Sequence, residues 1–343
     1  MTSEKAISTL ISNDYIADAL VCHQYLEKNN PKIKHYLFTI GKLKKENINF
    51  LKHYKNLKHI PLEEIIDKKI IDKLILSYSP FELCNALRGS CHRYIYENTN
   101  IEQWLMLDAD IAVVSSLDEI FNYYIDSEIL ITSHSSLPHS SRDAIISNEL
   151  VFLKYGLYNS GLIGFKRGEI SLKAILWLEE RLLSFSECSG DRINKGIKNE
   201  YDFLFVDQLW INLIPIYFRQ STISFENRFN LGHWNLWEGN LSCDENNNYF
   251  FNNKKVIAFH FSGIKSISPE HVSKHNDIYI KHPNFVWGKA AKEYLKYLKN
   301  IKEKVYEEVY FYKNKMPKFS KRLITLLFIN RILKRLFFIK KIF

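Results

Sequence analysis

Residues 104–113 read Trp-Leu-Met-Leu-Asp-Ala-Asp-Ile-Ala-Val, and the carboxylates of Asp108 and Asp110 are the sharpest chemical signal in the chain. An apolar run precedes them and another follows, so they stand where a buried strand reaches the surface. On an extended backbone, residues i and i+2 point to the same side. Two carboxylates so placed can converge on one ion. Hard oxygen ligands suit Mg²⁺ or Mn²⁺, cations that in turn bridge phosphate oxygens. The bland alternative is a strand that ends in a solvated Asp turn, and D-x-D alone does not decide between the two.

Two other readings compete for this segment. Ser115-Ser116-Leu117-Asp118-Glu119 brings more acid. Ser116 as N-cap with Glu119 three residues on spells a capping box that opens a helix, so Asp118 and Glu119 are assigned to structure. Phosphatases of the haloacid-dehalogenase type also carry D-x-D after an apolar strand, with the first Asp as nucleophile. Their motif lies near the start of the domain and has Thr or Val two residues after the second Asp. Here it lies beyond residue 100 and Ala112 stands at that place, which sets the phosphatase reading aside.

The elements that must position these acids alternate. Residues 6–12, 35–40, 104–107 and 128–132 read as strands, and 17–28 as a helix. A lysine-rich helical stretch runs to about Ser77, and Pro80 sits in the first turn of a further helix to about Tyr96. Such strand–helix alternation predicts an α/β fold, a mainly parallel sheet covered by helices. From Tyr155 onward the pattern loosens. Residues 157–165 read as a strand interrupted by Gly161 and Gly164, 171–185 as a helix, 186–202 as a polar surface loop, 256–261 as a buried strand, and 287–315 as a long charged helix.

Five spaced segments then resemble one family. Leu107-Asp108-Ala109-Asp110-Ile111 with Ser116-Leu117-Asp118-Glu119-Ile120-Phe121 looks like the core of GT-A-fold, nucleotide-sugar-dependent glycosyltransferases, notably family 8. Ser12-Asn13-Asp14-Tyr15 resembles the nucleotide-binding turn after the first strand. Tyr158-Asn159-Ser160-Gly161 resembles the segment lining the sugar pocket, and Asp207-Gln208 the pair opening a helix beside the donor sugar. Phe259-His260-Phe261-Ser262-Gly263 resembles the strand end whose His is the third metal ligand. The chain also looks like a bacterial group associated with surface polysaccharide genes, which shares the Glu82–Ala86 helix, Trp234-Asn235-Leu236 and Ser273-Lys274-His275.

The resemblance, which spans about residues 5–265, implies a Rossmann-like GT-A domain over residues 1–285; the charged helical pattern adds a C-terminal helix over 286–316 and the basic run a tail over 317–343. The resemblance also implies a metal-dependent hexosyltransferase taking a UDP-hexose to a saccharide acceptor in lipopolysaccharide or capsule synthesis. Asp108, Asp110 and His260 would hold Mn²⁺ or Mg²⁺, which stabilises a diphosphate leaving group as a Lewis acid; alone, His260 would pass for a core histidine. Tyr15 could stack on the base while Asn13 or Asp14 bonds to base or ribose, with Ser12, Ala109 and Ser160 beside the donor. Asn159 could hold a donor hydroxyl. Arg88, Lys265 or Lys274 could clamp the diphosphate near Gly263, although Lys265 departs from the family spacing. Trp234, Asn235 and His134 are acceptor-side candidates, Trp234 and Trp237 as stacking platforms or as plain core. Asp207 and Gln208, as the catalytic pair, imply retention. An inverting course would need a carboxylate base, Glu238 or Asp202. The non-enzyme alternative is an inactive saccharide-binding protein on the same scaffold.

Composition sets the outer limits. With 46% hydrophobic and 25% charged residues the chain has ample material for a core. Its five widely spaced cysteines form no C-x-x-C pair, which points to a reduced, cytosolic protein rather than a disulfide or zinc framework. The net charge of +9 is localised: ten basic residues and no acid lie in positions 313–343, and subtracting them leaves −1 on residues 1–312. Eleven large apolar residues between Leu323 and Phe338 share that tail, with cations too frequent for a membrane span. A basic amphipathic helix lying on the inner face of the cytoplasmic membrane is expected. Nucleic acid is not expected, because aliphatics outnumber the polar residues such an arm would use.

Overall fold

Six of the eight residues of β1 (Lys5–Ser12) are buried, so the strand is covered on both faces and belongs inside a helix-flanked sheet. The computed structural model describes residues 4–188, 203–264, 272–275 and 285–313. In it, β2 (Lys34–Ile40) pairs parallel with β1, and β3 (Leu57–Pro61) parallel with β2. On the other side β4 (Gln103–Leu107) pairs parallel with β1. A short strand β5 (Ile111–Val113) follows it. Then β6 (Ile129–Ser133) and β7 (Tyr158–Lys166) pair antiparallel, β7 also antiparallel with β4, and β8 (Ser221–Ser224) closes parallel to β6. The seven-stranded order is β3-β2-β1-β4-β7-β6-β8. Three more strands, β9 (Leu241–Cys243), β10 (Tyr249–Phe251) and β11 (Lys254–Lys255), form a small antiparallel sheet, and β12 (Ala258–His260) pairs antiparallel with β5. The α/β architecture is the one the alternation predicts.

One core cluster joins β2, β4 and the helix Arg88–Asn98 through Phe38, Trp104, Phe165 and Ile95. Another lies under the helices Ile16–Asn29 and Phe285–Lys302, with Leu20, Phe259, Trp287 and Tyr294 fully buried. The helix Pro80–Ala86 opens with a complete capping box, the Ser79 hydroxyl accepting from the Glu82 amide and the Glu82 carboxylate accepting from the Ser79 amide.

Three sequence expectations are corrected. The lysine-rich stretch before Ser77 is not all helix, because β3 lies in it. β3 is an edge strand carrying Pro61 and only one fully buried residue, so its period-2 signal is faint. The expected capping box at Ser116 is absent: the Ser116 hydroxyl accepts from the Asp118 amide, while Glu119 is ion-paired with Arg228. The helix expected over 287–315 ends at Lys302, and residues 303–313 leave it as a strap held by other parts of the chain. Most of the loop expected over 186–202, and the whole tail 317–343, lie outside the described residues.

Candidate functional site

From β1 the chain moves outward to β2 and β3 on one side, while β4 lies on the other. That reversal of strand order opens a crevice beyond the carboxyl ends of β1 and β4, where open α/β sheets take their ligands. Ser12–Tyr15 caps β1 at one lip, and Asp108–Asp110 caps β4 at the other. The two carboxylates do not converge along an extended strand, as the spacing suggested. Asp108 and Asp110 lie in a tight turn closed by the Ile111 amide on the Asp108 carbonyl at 3.1 Å. The β5–β12 ladder then sets His260 opposite Ile111, and the Phe261 amide bonds to the Asp110 carbonyl at 2.9 Å. The His260 Nε2 atom lies 3.2 Å from Asp110 Oδ1 and 3.9 Å from Asp108 Oδ2. One ligand atom from each of the three residues falls within 4.8 Å of the others. Two carboxylates and an imidazole at that separation fit a divalent cation of the Mn²⁺ type.

Gly161 lets this happen. A Cβ there would stand 2.3 Å from His260 Cε1, so any side chain would push the imidazole off the cluster. Behind the ring, His260 Nδ1 lies 3.1 Å from Asn230 Oδ1. An amide oxygen only accepts, so Nδ1 carries a proton, and Nε2, facing the two Asp residues, is the nitrogen left for a metal ion. Asn230 Nδ2 donates to Asn159 Oδ1 at 2.9 Å, which also accepts from the Gly161 amide at 2.9 Å. Asn159 Nδ2 meets His134 Nε2 at 3.2 Å. Burial would by itself lower the His260 imidazole, but hydrogen-bonded Asp110, with Asp108, carries it above its ordinary value.

Arg88 knits the rest of the site together. Its Nη1 pairs with Asp108 Oδ1 at 2.6 Å, its Nε with Asp207 Oδ2 at 3.0 Å, and its Nη2 donates to the Ser160 carbonyl. All three nitrogens thus have a protein partner, and Arg88 orients two carboxylates beside the cluster, where it was expected as a diphosphate clamp. Despite burial, which lowers it, Asp108 and Asp207 hold the guanidinium above its usual range. Asp207 is 3% exposed; burial pushes its carboxyl up, against the pull of Arg88, and its Oδ1 has no hydrogen-bond partner. An orphaned buried oxygen beside the cluster is a place for a ligand hydroxyl. Val206, just before it, has φ 41°, a left-handed conformation that a β-branched residue rarely takes. Gln208 donates from Nε2 to the Tyr155 carbonyl at 2.9 Å and packs under Gly156.

The remaining candidates divide. Tyr15 is half exposed and Asp14 exposed, with the Ser12 hydroxyl donating to Asp14 at 2.6 Å. Ala109 and Ser160 line the same turn and strand. Asn13 is turned away: it is buried, with Nδ2 on the Val309 carbonyl and Oδ1 on the Phe311 amide, both at 2.9 Å. Of the two residues expected at base or ribose, Asn13 is thus engaged elsewhere and Asp14 is the exposed one. Trp234 is 4% exposed and stands edge-on to His260 with ring centroids 5.0 Å apart, a buried wall and not a stacking platform. Asn235 is likewise buried, closing a turn by accepting from the Gly232 amide. His134 is buried and stacked on Phe152, where burial lowers it to about 4. Trp237 is half exposed over His139. Gly263, at φ 76°, packs against Ser273 and Lys274, and Lys274 is exposed beside it. Lys265 and Asp202 lie outside the described residues. Sequence reasoning missed Asn230, whose only signal was the Asn- and Trp-rich run around it.

No family model matches the chain. A curated relative, the uncharacterized protein YfnF of Bacillus subtilis (strain 168), is 22% identical over 270 residues, covering 78% of this chain and 84% of that protein. Among solved structures, the galactosyltransferase LgtC in complex with donor and acceptor sugar analogs superposes with a TM-score of 0.50 at 14% identity, over 87% of this chain and 96% of that one. The glycosyltransferase GlyE of Streptococcus pneumoniae TIGR4 gives a TM-score of 0.45 at 12% identity, over 87% of this chain and 63% of that one. The first of these likenesses establishes the GT-A fold, with its mixed, mostly parallel seven-stranded sheet and flanking helices.

Proposed function

We propose that the chain is a metal-dependent glycosyltransferase that moves a hexose from a nucleotide sugar, a UDP-sugar by resemblance, to a saccharide acceptor in bacterial surface glycan synthesis. The observation that carries this reading is the Asp108–Asp110–His260 cluster at the switch-point crevice of a GT-A fold. These three residues would hold Mn²⁺ or Mg²⁺, which when bound neutralises the charge a departing nucleoside diphosphate gathers. The protein's own part is to fix the ligands. Asn230 sets the His260 tautomer, Gly161 clears space for its ring, and Arg88 aligns Asp108 with Asp207. Asp207 Oδ1, buried and open to a partner, suits a donor hydroxyl.

Retention is favoured by the state of Glu238. The carboxylate an inverting course would need as base accepts hydrogen bonds from the Ser136 amide, the Ser135 and Ser136 hydroxyls and Asn227 Nδ2. So held, it positions the Ser135–Leu137 loop, which argues against Glu238 as that base; Asp202, the other candidate, lies outside the described residues. The anomeric configuration of the first-formed product, read by proton NMR, tests this; a β-linkage from an α-linked donor would overturn it. For the whole reading, thermal shift with UDP should show stabilisation that requires Mn²⁺ and disappears in Asp108→Ala and Asp110→Ala. Metal-dependent donor hydrolysis separates an enzyme from an inactive saccharide-binding protein.

A further inference from the structure

After Lys302 the chain crosses the carboxyl ends of three neighbouring strands, and a side chain beyond each strand grips it. Beyond β2, Asn47 donates from Nδ2 to the Tyr306 carbonyl and accepts at Oδ1 from the Tyr306 amide, both at 2.8 Å. Asn47 also donates to the Glu308 carboxylate at 2.7 Å, and the Lys44 amide donates to the same carboxylate at 2.7 Å. Beyond β3, Glu63 Oε1 accepts from the Tyr312 hydroxyl at 2.6 Å and from the Gly41 amide at 2.7 Å. Beyond β1, Asn13 donates to the Val309 carbonyl and accepts from the Phe311 amide, both at 2.9 Å. Both asparagines are 1% exposed. Each satisfies a backbone donor and a backbone acceptor that are costly to leave unpaired. Side chains, and no sheet or helix of its own, therefore seat the strap over residues 303–313.

Asn13 is the grip that reaches the crevice. It opens the single turn Asn13–Tyr15, which joins β1 to the helix Ile16–Asn29 and forms the lip opposite Asp108–Asp110. No side chain caps that turn or the helix after it. The next two residues face outward: Asp14 is exposed, with the Ser12 hydroxyl donating to it, and Tyr15 is half exposed. Asn13 points the other way, so residues 296 and 298 positions further on hold the turn from behind. Gly41, at φ 84°, closes the join. A Cβ there would stand 2.5 Å from Phe311 Cβ and 3.2 Å from Asn13 Oδ1, so the end of β2, the turn and the strap pack directly on one another. Unseating the strap would strip both amide groups of a buried Asn13 of their partners, and the turn would have to shift to satisfy them again.

We propose that Asn13 is a positioning residue, through which the seated strap holds the Asp14–Tyr15 lip in the form that receives a nucleoside diphosphate. The proposal rests on the nucleotide-sugar reading of the crevice and adds to it a dependence on a segment from the far end of the chain. The two lips lie beyond β1 and β4, which are paired strands and so about 4.8 Å apart. A ligand with its phosphates at Asp108, Asp110 and His260 and a nucleoside attached spans both lips, whereas inorganic pyrophosphate engages the cluster alone. When the strap unseats, apparent affinity for the spanning ligand falls with the fraction of molecules whose lip is in place. By reciprocity, that ligand keeps the strap seated by the same factor.

Two measurements on the full chain test this. The first is calorimetric titration with uridine diphosphate or inorganic pyrophosphate, each with Mn²⁺, in the wild type and in Asn47→Ala, which loosens the strap and leaves the turn intact. Affinity for uridine diphosphate should fall about fivefold or more, while pyrophosphate binding stays as in the wild type. Should Asn47→Ala not fold, Glu308→Ala removes the grips of Lys44 and Asn47 from a half-buried position and carries the same expectation. Glu308→Gln, whose amide oxygen still accepts, should bind as the wild type does. The second is amide hydrogen exchange at Tyr306 and Phe311, whose N–H groups Asn47 and Asn13 hold. Uridine diphosphate with Mn²⁺ should slow it about fivefold or more, and pyrophosphate should not. A strap that only stabilises the fold would give neither the split between probes nor the protection. Equal loss of both probes, no loss of either, or unchanged exchange overturns the proposal. A wild-type protein that binds no uridine diphosphate with Mn²⁺ overturns the nucleotide-sugar reading itself, and the role of Asn13 with it.

Discussion

Asn230 shows how much of the site's chemistry is decided by residues that touch no ligand. Its amide fixes which nitrogen of His260 faces Asp108 and Asp110, the one that would bind metal on the proposed function, and it ties that choice to Asn159 and His134. Partners behind a metal-binding histidine are worth roughly 10–100-fold in metal affinity. Asn230→Ala should therefore weaken Mn²⁺ binding by about that factor, as followed by electron paramagnetic resonance titration. Unchanged Mn²⁺ affinity would detach Asn230 from the metal site. Arg88 makes a second argument at this scale. Its partner Asp207 is almost fully buried, and removing one member of a buried ion pair costs about 3–5 kcal/mol. Arg88→Ala should lower the thermal midpoint measurably, and Arg88→Lys should not restore it, because a single ammonium cannot meet Asp108, Asp207 and the Ser160 carbonyl together.

At the scale of elements, β7 illustrates a strand whose composition is set by what lies against it. Gly164 sits against Leu105, Leu130 and Tyr124, and Gly161 against His260. Gly161→Ala adds one methyl where the imidazole ring lies, so Mn²⁺ affinity should drop about tenfold or more while the circular dichroism spectrum stays that of the wild type. An Ala variant that binds metal normally would show that the ring can retreat without losing its ligand geometry. The C-terminal helix tells the opposite story about local signals. Its charged, periodic sequence runs on to Lys315, yet helix gives way at Lys302, because backbone groups of residues 306–311 find partners on Asn47 and Asn13. Tertiary hydrogen bonds outweigh a propensity difference of a few tenths of a kcal/mol per residue.

The molecule as a whole buries several histidines in neutral form. Burial lowers His23 to about 4, and it lowers His92 and His233 to about 3, with nearby Arg88 and His275 respectively adding to the effect. Each binds its proton more weakly folded than unfolded, so the unfolded chain protonates first as the medium acidifies. The stability they contribute is complete above the ordinary histidine value near 6.5 and is lost as pH falls toward the folded values. For His23 alone this is of the order of 3 kcal/mol. Thermal midpoints should therefore fall steeply below about pH 6, and His23→Gln should flatten part of that slope. A midpoint unchanged down to pH 4 would contradict it. No helix among the described residues is long and apolar enough to cross a membrane. The basic tail over 317–343, outside the described residues, is expected from its sequence to bind an anionic membrane, and truncation tests that expectation. Truncation of residues 317–343 should abolish binding to anionic liposomes and leave Mn²⁺-dependent nucleotide binding intact. Wild-type binding should weaken with salt, since cationic attraction is screened over about 8–10 Å at physiological ionic strength.

From the residues alone came the α/β alternation, the strand ahead of Asp108 and the paired carboxylates; the joining of His260 to them and the place of Asp207 came from the family resemblance. The first three are local or periodic signals: apolar runs and a short motif whose members lie within a few positions of one another. Only the tertiary structure decided what each polar group does with its hydrogen bonds. Arg88 is spent on Asp108 and Asp207, Asn13 on the strap, and Glu238 on a serine loop. Asn230 becomes part of the site although no motif marked it. A buried donor or acceptor must find a partner, and in each case that partner comes from a different loop or strand. One sequence gives the kinds of groups available at such a site; the packing of distant segments fixes which of them remain open to a ligand.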